Sequence, residues 1–255
     1  YYSKVINARN SLFVETKEDE EGKTAFAIYS ADDSSLRFYY DFKPTGSTYN
    51  DLTVTELYED IETTEYTNET TPAVMPDWVS NATESERYKK IVFHGGKANG
   101  NPRKIWPISM AYWFSKCANV TSIEGMAEWL NTSDVTTMHL TFNQCGKDST
   151  SPLRIDVSNF NTSKVTSMKN MFYSCKSTTE LDVTGFDTRK VTDMSSMFES
   201  CTNLTELDLS SFDTTSLTKI SSMFSGSSNL KTIFVSDKFV INSSLRSKTI
   251  FRNCN

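Results

Sequence analysis

Histidine, glycine and proline are scarce in this chain, with 2, 9 and 6 copies among 255 residues. Histidine is the side chain whose ordinary pKa puts its charge change near neutrality, and it is the commonest metal ligand. His94 and His139 therefore leave little for acid–base catalysis or a metal centre. No CxxC, GxSxG or HExxH motif occurs, so the usual signatures of a thiolate metal site, a serine hydrolase and a zinc peptidase are missing. The stretch His94-Gly95-Gly96-Lys97-Ala98-Asn99-Gly100 reads as a flexible loop and lacks the GxxxxGK[ST] order of a phosphate loop. No catalytic residue, cofactor or metal is assigned, and an enzyme is not expected.

Long apolar runs are also absent. No stretch approaches the roughly 18 to 20 apolar residues of a membrane-spanning helix, and Tyr1-Tyr2-Ser3-Lys4 lacks the apolar core of a signal peptide. A targeting segment is thus expected to have been removed or never to have been present. Basic residues are not clustered: residues 1–104 hold 18 acidic and 12 basic side chains, and residues 105–255 hold 14 of each. Neutralising phosphates needs clustered Lys and Arg, so nucleic acid is not an expected partner.

What the chain has is a hydrophobic fraction of 37%, enough for a buried core, and 66 serines and threonines, residues that favour turns, caps and strand ends. Above all it has a repeat. Val165-Thr166-Ser167-Met168-Lys169-Asn170-Met171-Phe172-Tyr173-Ser174-Cys175 returns 26 residues on as Val191-Thr192-Asp193-Met194-Ser195-Ser196-Met197-Phe198-Glu199-Ser200-Cys201, and again, weakened, from Leu217 to Phe224. Val135 to Cys145, Trp113 to Cys117 and Ile250 to Cys254 complete six copies. The other half-unit, Leu204-Thr205-Glu206-Leu207-Asp208-Leu209-Ser210-Ser211-Phe212, has the spacing L-x-x-L-x-L-x-x-F, repeated at Leu181, Val183 and Phe186 and at Ile155, Val157 and Phe160.

Alternation at Leu207 and Leu209 predicts a short strand, and apolar residues three to four apart at Val191, Met194, Met197, Phe198 and Cys201 predict one face of a helical segment. No unit can bury its apolar face alone, so the pattern predicts stacking. The fold expectation is α+β: a leucine-rich-repeat-like solenoid of about six 26–30-residue units over residues 106–255, with parallel strands on one side. An antiparallel β region over residues 1–105 is expected to cap it. In that region Leu12–Thr16, Thr24–Ser30 and Leu36–Phe42 read as a three-strand meander, the acidic run Glu18–Glu21 as a solvated turn, Thr53–Thr71 as a long loop, and Ile91–Phe93 as a strand leading into the repeats.

The run L-D-V-T-G-F-D-T-R-K-V-T-D-M-S-S-M-F-E-S-C, Leu181 to Cys201, resembles the 26-residue bacterial surface-protein repeat of mycoplasma-type lipoproteins, allied to BspA-like leucine-rich-repeat proteins. The resemblance covers about 106–255. Upstream, Ala27–Ser30, Leu36–Asp41, Pro76-Asp77-Trp78 and Ile91–Phe93 are similar to the region preceding such repeats. The resemblance implies a secreted or wall-attached location and a non-catalytic adhesive or recognition role.

Three constellations carry the remaining readings. Cys117, Cys145, Cys175, Cys201 and Cys254 share one repeat position, with Ser227 in the sixth copy. They read as a column of buried thiols acting as small apolar groups, with disulfides the alternative, since stacked units lie about 4.8 Å apart. Asn131-Thr132, Asn161-Thr162, Asp187-Thr188 and Asp213-Thr214 share another position and read as structural caps or turn formers. Asp156, Asp182 and Asp208, followed by Phe234, sit between the core aliphatics and face outward. Beside Ser158, Thr184 and Ser210 they form either a hydrogen-bonded ladder or, with Glu180 and Glu206, an acidic ligand-facing strip; a calcium site lacks its Asp-x-Asp loop.

The expected function is therefore a non-enzymatic binding or adhesion module of a bacterial surface, extracellular and with any anchor outside this chain. It would recognise a host or bacterial surface protein through Asp156, Glu180, Asp182, Glu206, Asp208 and Phe234. The alternative is a carbohydrate-binding module using Trp78, Trp106, Trp113 or exposed tyrosines as platforms. The end at Cys254-Asn255, inside a unit, suggests a piece of a longer protein.

Overall fold

A computed structural model describes residues 3–6, 13–16, 23–41, 44–59, 61, 75–80, 86–98, 101–245 and 249–254. The run Glu18–Glu21 and most of the stretch 60–74 lie outside them. The strands in chain order are β1 (Ser3–Ile6), β2 (Phe13–Thr16), β3 (Thr24–Ser30), β4 (Ser35–Asp41), β5 (Thr48–Tyr49), β6 (Leu52–Thr53), β7 (Glu56–Tyr58), β8 (Lys90–Ala98), β9 (Asn101–Arg103), β10 (Ser122–Glu124), β11 (Glu206–Leu209) and β12 (Thr232–Val235). Two helices of four residues, Asp77–Ser80 and Met126–Trp129, are the only α-helices among the described residues.

Six strands form one mixed sheet in the order β10-β8-β4-β3-β7, with β9 also on β8. The β3–β4 hairpin is antiparallel, as the expected meander has it, and turns at Ser34 with φ 56°. The predicted third strand of the meander is not β2, which pairs with β1. It is β7, from the stretch read as a loop, antiparallel to β3 through Ala27↔Tyr58 and Tyr29↔Glu56. Three residues are too few to show periodicity; their place is set by the neighbour. The glycine stretch at 94–96 is likewise part of a strand. β8 runs parallel to β4 with a bulge between Phe38 and Tyr39, and a Cβ on Gly96 would stand 1.6 Å from the Tyr40 carbonyl oxygen. Glycine is there because two backbones approach closely. The sheet is buried on both sides: Leu36, Phe38, Tyr40, Ile91 and Phe93 join the main core, while Phe26, Ile28 and Tyr39 are covered by Tyr49, Val54 and Leu57.

The α+β leucine-rich-repeat solenoid expected from the repeat is not what forms. The regular elements are mainly β, the largest sheet is mixed, and no helix occurs in the Met-Phe segments. Parallel strands do not line one side; among the last units only β11 and β12 pair as strands. Backbone dihedrals give the reason. Asn170, Ser174, Ser196 and Ser200 have φ of 55°, 57°, 56° and 59°, and Tyr112, Lys116, Leu140 and Gln144 match them in earlier copies. A left-handed residue every fourth position is incompatible with a right-handed helix, so the 3–4 spacing is produced by a chain of turns. Met171, Tyr173 and Cys175 N–H donate three residues back. The amides between them reach the next unit instead: Met168 to Asp193 O, Asn170 to Ser195 O, Phe172 to Met197 O and Ser174 to Glu199 O, at 2.7–3.0 Å. Isolated parallel bridges Thr137↔Ser167↔Asp193↔Lys219 mark the same contact.

Side chains stack in columns over this ladder. Phe142, Phe172, Phe198, Phe224 and Phe251 follow one another at 5.2–5.9 Å between centroids with nearly parallel rings. At the other end Phe38 stacks on Trp113 at 5.4 Å, and Trp78 donates its indole N–H to the Trp113 carbonyl at 2.7 Å. One core cluster therefore runs from Ala25 to Ile250. The cysteines are free thiols, and disulfides do not form. They are more than apolar filler. Cys175, Cys201 and Cys254 donate to the carbonyls of Phe142, Phe172 and Phe224 at 3.0 Å. Ser227 Oγ makes the same bond to Phe198 O at 2.7 Å, which explains why serine can stand in the sixth copy. Thr132, Thr162 and Thr188 are buried and bond to the backbone of Asn161, Asp187 and Asp213 in the following unit, as a structural role for that position requires.

Two outcomes follow. Phe198 is fully buried between two rings, and truncating a packed phenylalanine costs about 3–5 kcal/mol. Phe198→Ala should lower the melting temperature by about 6 °C or more, whereas a drop below about 2 °C would contradict the stacked column. Burial pushes the Cys145 and Cys201 thiols up to about 12. A thiol reagent at pH 8 should label at most the half-buried Cys254 in the native protein and all five cysteines after denaturation; rapid native labelling of three or more would refute the packing.

Candidate functional site

Along residues 153–157, 181–184 and 206–210 buried and outward positions alternate, although only the last stretch pairs as a strand. Asp208 sits opposite Phe234 and Glu206 opposite Thr232 in the parallel β11–β12 register. Glu180, Asp182, Glu206 and Asp208 line one shallow groove of about 530 Å³ together with Thr179, Thr184 and Thr205. Phe234, 52% exposed, continues the row at one end. Of the six residues expected there, four line the groove, and Phe234 adjoins it through its pairing with Asp208. Asp156 does not line the groove, and its carboxylate accepts from Arg154 Nη2 at 3.2 Å, which neutralises it locally.

Each aspartate in the row also has a local duty. Asp156 Oδ1 accepts from Ser158 N–H and Oγ, Asp182 Oδ1 from Thr184 N–H and Oγ1 at 3.0 and 2.6 Å, and Asp208 Oδ1 from Ser210 N–H at 2.9 Å. These bonds stay within one unit, so the carboxylates do not form a ladder between units. Hydrogen bonding from Thr184 and Ser210 holds Asp182 and Asp208 below the usual carboxylate range, and both remain charged at any physiological pH. Glu180 and Glu206 are exposed, and their carboxylates make no hydrogen bond or ion pair to a described residue. The groove is an open surface that Asp182 and Asp208 keep negative at any physiological pH.

The aromatic platforms are placed differently from the glycan reading. Trp78 and Trp113 are 1% and 0% exposed and belong to the core. Trp106 is half-buried and donates Nε1–H to Ser133 Oγ at 3.0 Å. No group of three or more His, Cys, Asp or Glu able to hold a metal ion occurs among the described residues, and no helix among them is long and apolar enough to cross a membrane.

The two histidines are apart. His94 stacks on Tyr39 at 4.6 Å and faces Arg37 Nη1 at 3.2 Å on the sheet. His139 is buried edge-on to Tyr112, and burial lowers its pKa to about 4. A buried histidine held neutral binds its proton more weakly folded than unfolded, so its contribution is whole above about pH 6.5 and is lost as pH falls toward 4. Stability to urea should therefore drop between pH 6.5 and 4 in the native sequence, and His139→Gln should flatten that part of the profile; an unchanged slope would place His139 in contact with water.

No curated protein and no solved structure matches the chain significantly. Residues 108–238, just over half of the chain, match the model of a family of unknown function. This span holds the groove, four of the five column thiols and most of the aromatic column, and on it the chain belongs to the family described as "Mycoplasma protein of unknown function, DUF285".

Proposed function

We propose that the chain is a non-catalytic binding module of a bacterial surface or secreted protein, and that it recognises a basic segment of a protein ligand through the groove of Glu180, Asp182, Glu206 and Asp208. The observation that carries this reading is the groove itself: four carboxylates on one open face, two of them without partners among the described residues, with an exposed phenylalanine at the end. Such a face raises the local concentration of cationic segments and speeds their docking. Phe234 supplies the apolar anchor that electrostatics alone lacks. The protein ligand is favoured over a glycan because Trp78 and Trp113 stack inside the core.

Glu180 and Glu206 give the clean test, since changing them breaks no hydrogen bond to a described residue, unlike Asp182 and Asp208. Glu180→Lys with Glu206→Lys should leave the melting temperature within about 2 °C and slow association with a lysine-rich peptide at least tenfold at low salt. The native rate should fall on raising ionic strength to about 0.15 M, where charges are screened beyond about 8 Å. Glu86→Lys with Glu128→Lys, two exposed acids elsewhere, is the charge-matched control. Equal slowing in both double variants would reduce the effect to net charge and remove the groove as the site.

A further inference from the structure

Beside the acidic groove lies a hollow of opposite character. The joint between Cys145 and Ile155 is four residues longer than the corresponding joints Cys175–Leu181 and Cys201–Leu207. Gly146, at φ 64° and with no room for a Cβ against Leu153 and Ser177, lets the insertion turn out of the stack. Its residues Lys147, Ser149, Thr150 and Ser151 then wall a cavity of about 230 Å³ completed by Lys176 and Asn203. No acidic side chain lines it, in a chain whose net charge is −6. Ser177, also in the lining, is 8% exposed, and its Oγ has no hydrogen-bond partner among the described residues.

We propose that this hollow is an oxyanion site for a phosphate-type group. Two lysines, several hydroxyl side chains and one side-chain amide line it, the donor set that replaces the hydration shell of a tetrahedral anion. The volume is below the roughly 300–1,000 Å³ of pockets for whole cofactors or drug-sized ligands, so it suits one anionic group with a little water. Lys147 Nζ is 3.0 Å from Asp148 Oδ2, and Lys176 is exposed with no ion pair among the described residues; the anion would recruit Lys176 and compete with Asp148 for Lys147. An oxygen lodged against Ser177 would supply the missing partner of a buried hydroxyl, which is costly to leave unpaired. Asn203 lines both the hollow and the acidic groove, so a ligand in the groove can carry the anion, although the site does not depend on the groove's role.

The test is titration of the full chain with inorganic phosphate, followed by amide NMR, against sodium chloride at matched ionic strength. Saturable shifts at Lys176, Ser177 and Asn203 are expected in phosphate alone. Affinity should fall at least tenfold in Lys147→Gln with Lys176→Gln and stay unchanged in Lys190→Gln with Lys231→Gln, a pair of exposed lysines outside the hollow. Phenyl phosphate separates the sources: binding as tight as phosphate means the site accepts a ligand-borne ester, and much weaker binding means it holds the free ion. Equal shifts with chloride, or an affinity indifferent to Lys147 and Lys176, would overturn the proposal. Either result leaves the lysine-peptide experiment on Glu180 and Glu206 to stand or fall separately.

Discussion

Every second amide of segment 168–174 donates to a carbonyl 25 residues further along, and segment 194–200 does the same to 219–225. The intervening amides close turns within their own unit. That division of backbone donors is the constraint from which the rest of the architecture follows. A segment whose amides all bonded locally would be a helix and would present only side chains to its neighbour. Here half of the donors are satisfied only when the next unit is in register, so a unit alone would leave buried N–H groups without partners, each at a cost of about 1–3 kcal/mol. Side chains then stack like on like, because register fixed by backbone bonds repeats each position at the same height: phenylalanine on phenylalanine, thiol above carbonyl, threonine against backbone.

The same rule explains where variation is tolerated. At the column position of Ser227 what matters is a small donor reaching the preceding phenylalanine carbonyl, which cysteine and serine both provide. The longer connection at 146–152 keeps its own ties to the neighbouring units, Gly146 N–H to Cys117 O, Asp148 N–H to Ala118 O and Leu153 N–H to Ser177 O at 2.9–3.1 Å, so it leaves the ladder intact while building a polar hollow on the surface. Outward positions between buried aliphatics are equally free of packing demands, and there the chain places carboxylates. Each aspartate is tied by its own Ser or Thr two residues on, which orients it and keeps it ionised; the glutamates at 180 and 206 make no such bond. The candidate binding surface is thus assembled from positions that the stack leaves unconstrained.

At the other end the six-stranded sheet meets the first units through aromatic contacts, Phe38 on Trp113 and Phe93 near Phe114. Short elements from distant parts of the chain complete it: β7 on one edge, and β10 paired in parallel to β8. Arg87 ties this region internally, its guanidinium over the Tyr29 ring at 3.9 Å and bonded to Glu56 of β7.

The sequence by itself determined the 26-residue period, the identity of the buried columns, the outward aspartates and the β3–β4 hairpin, because each is written in local spacing and composition. It did not determine whether apolar residues three to four apart make a helix or a run of turns, since both place side chains on one face at that spacing. Only the tertiary structure decided that, by offering alternate amides a carbonyl in the next unit. It likewise drew β7 out of a polar stretch and turned His94-Gly95-Gly96 into a bulged strand. The meeting of Lys147 with Lys176, and of Glu180 with Glu206, also came from stacking, which brings residues about 26–30 positions apart within reach of one ligand while the chain between them carries no sign of it.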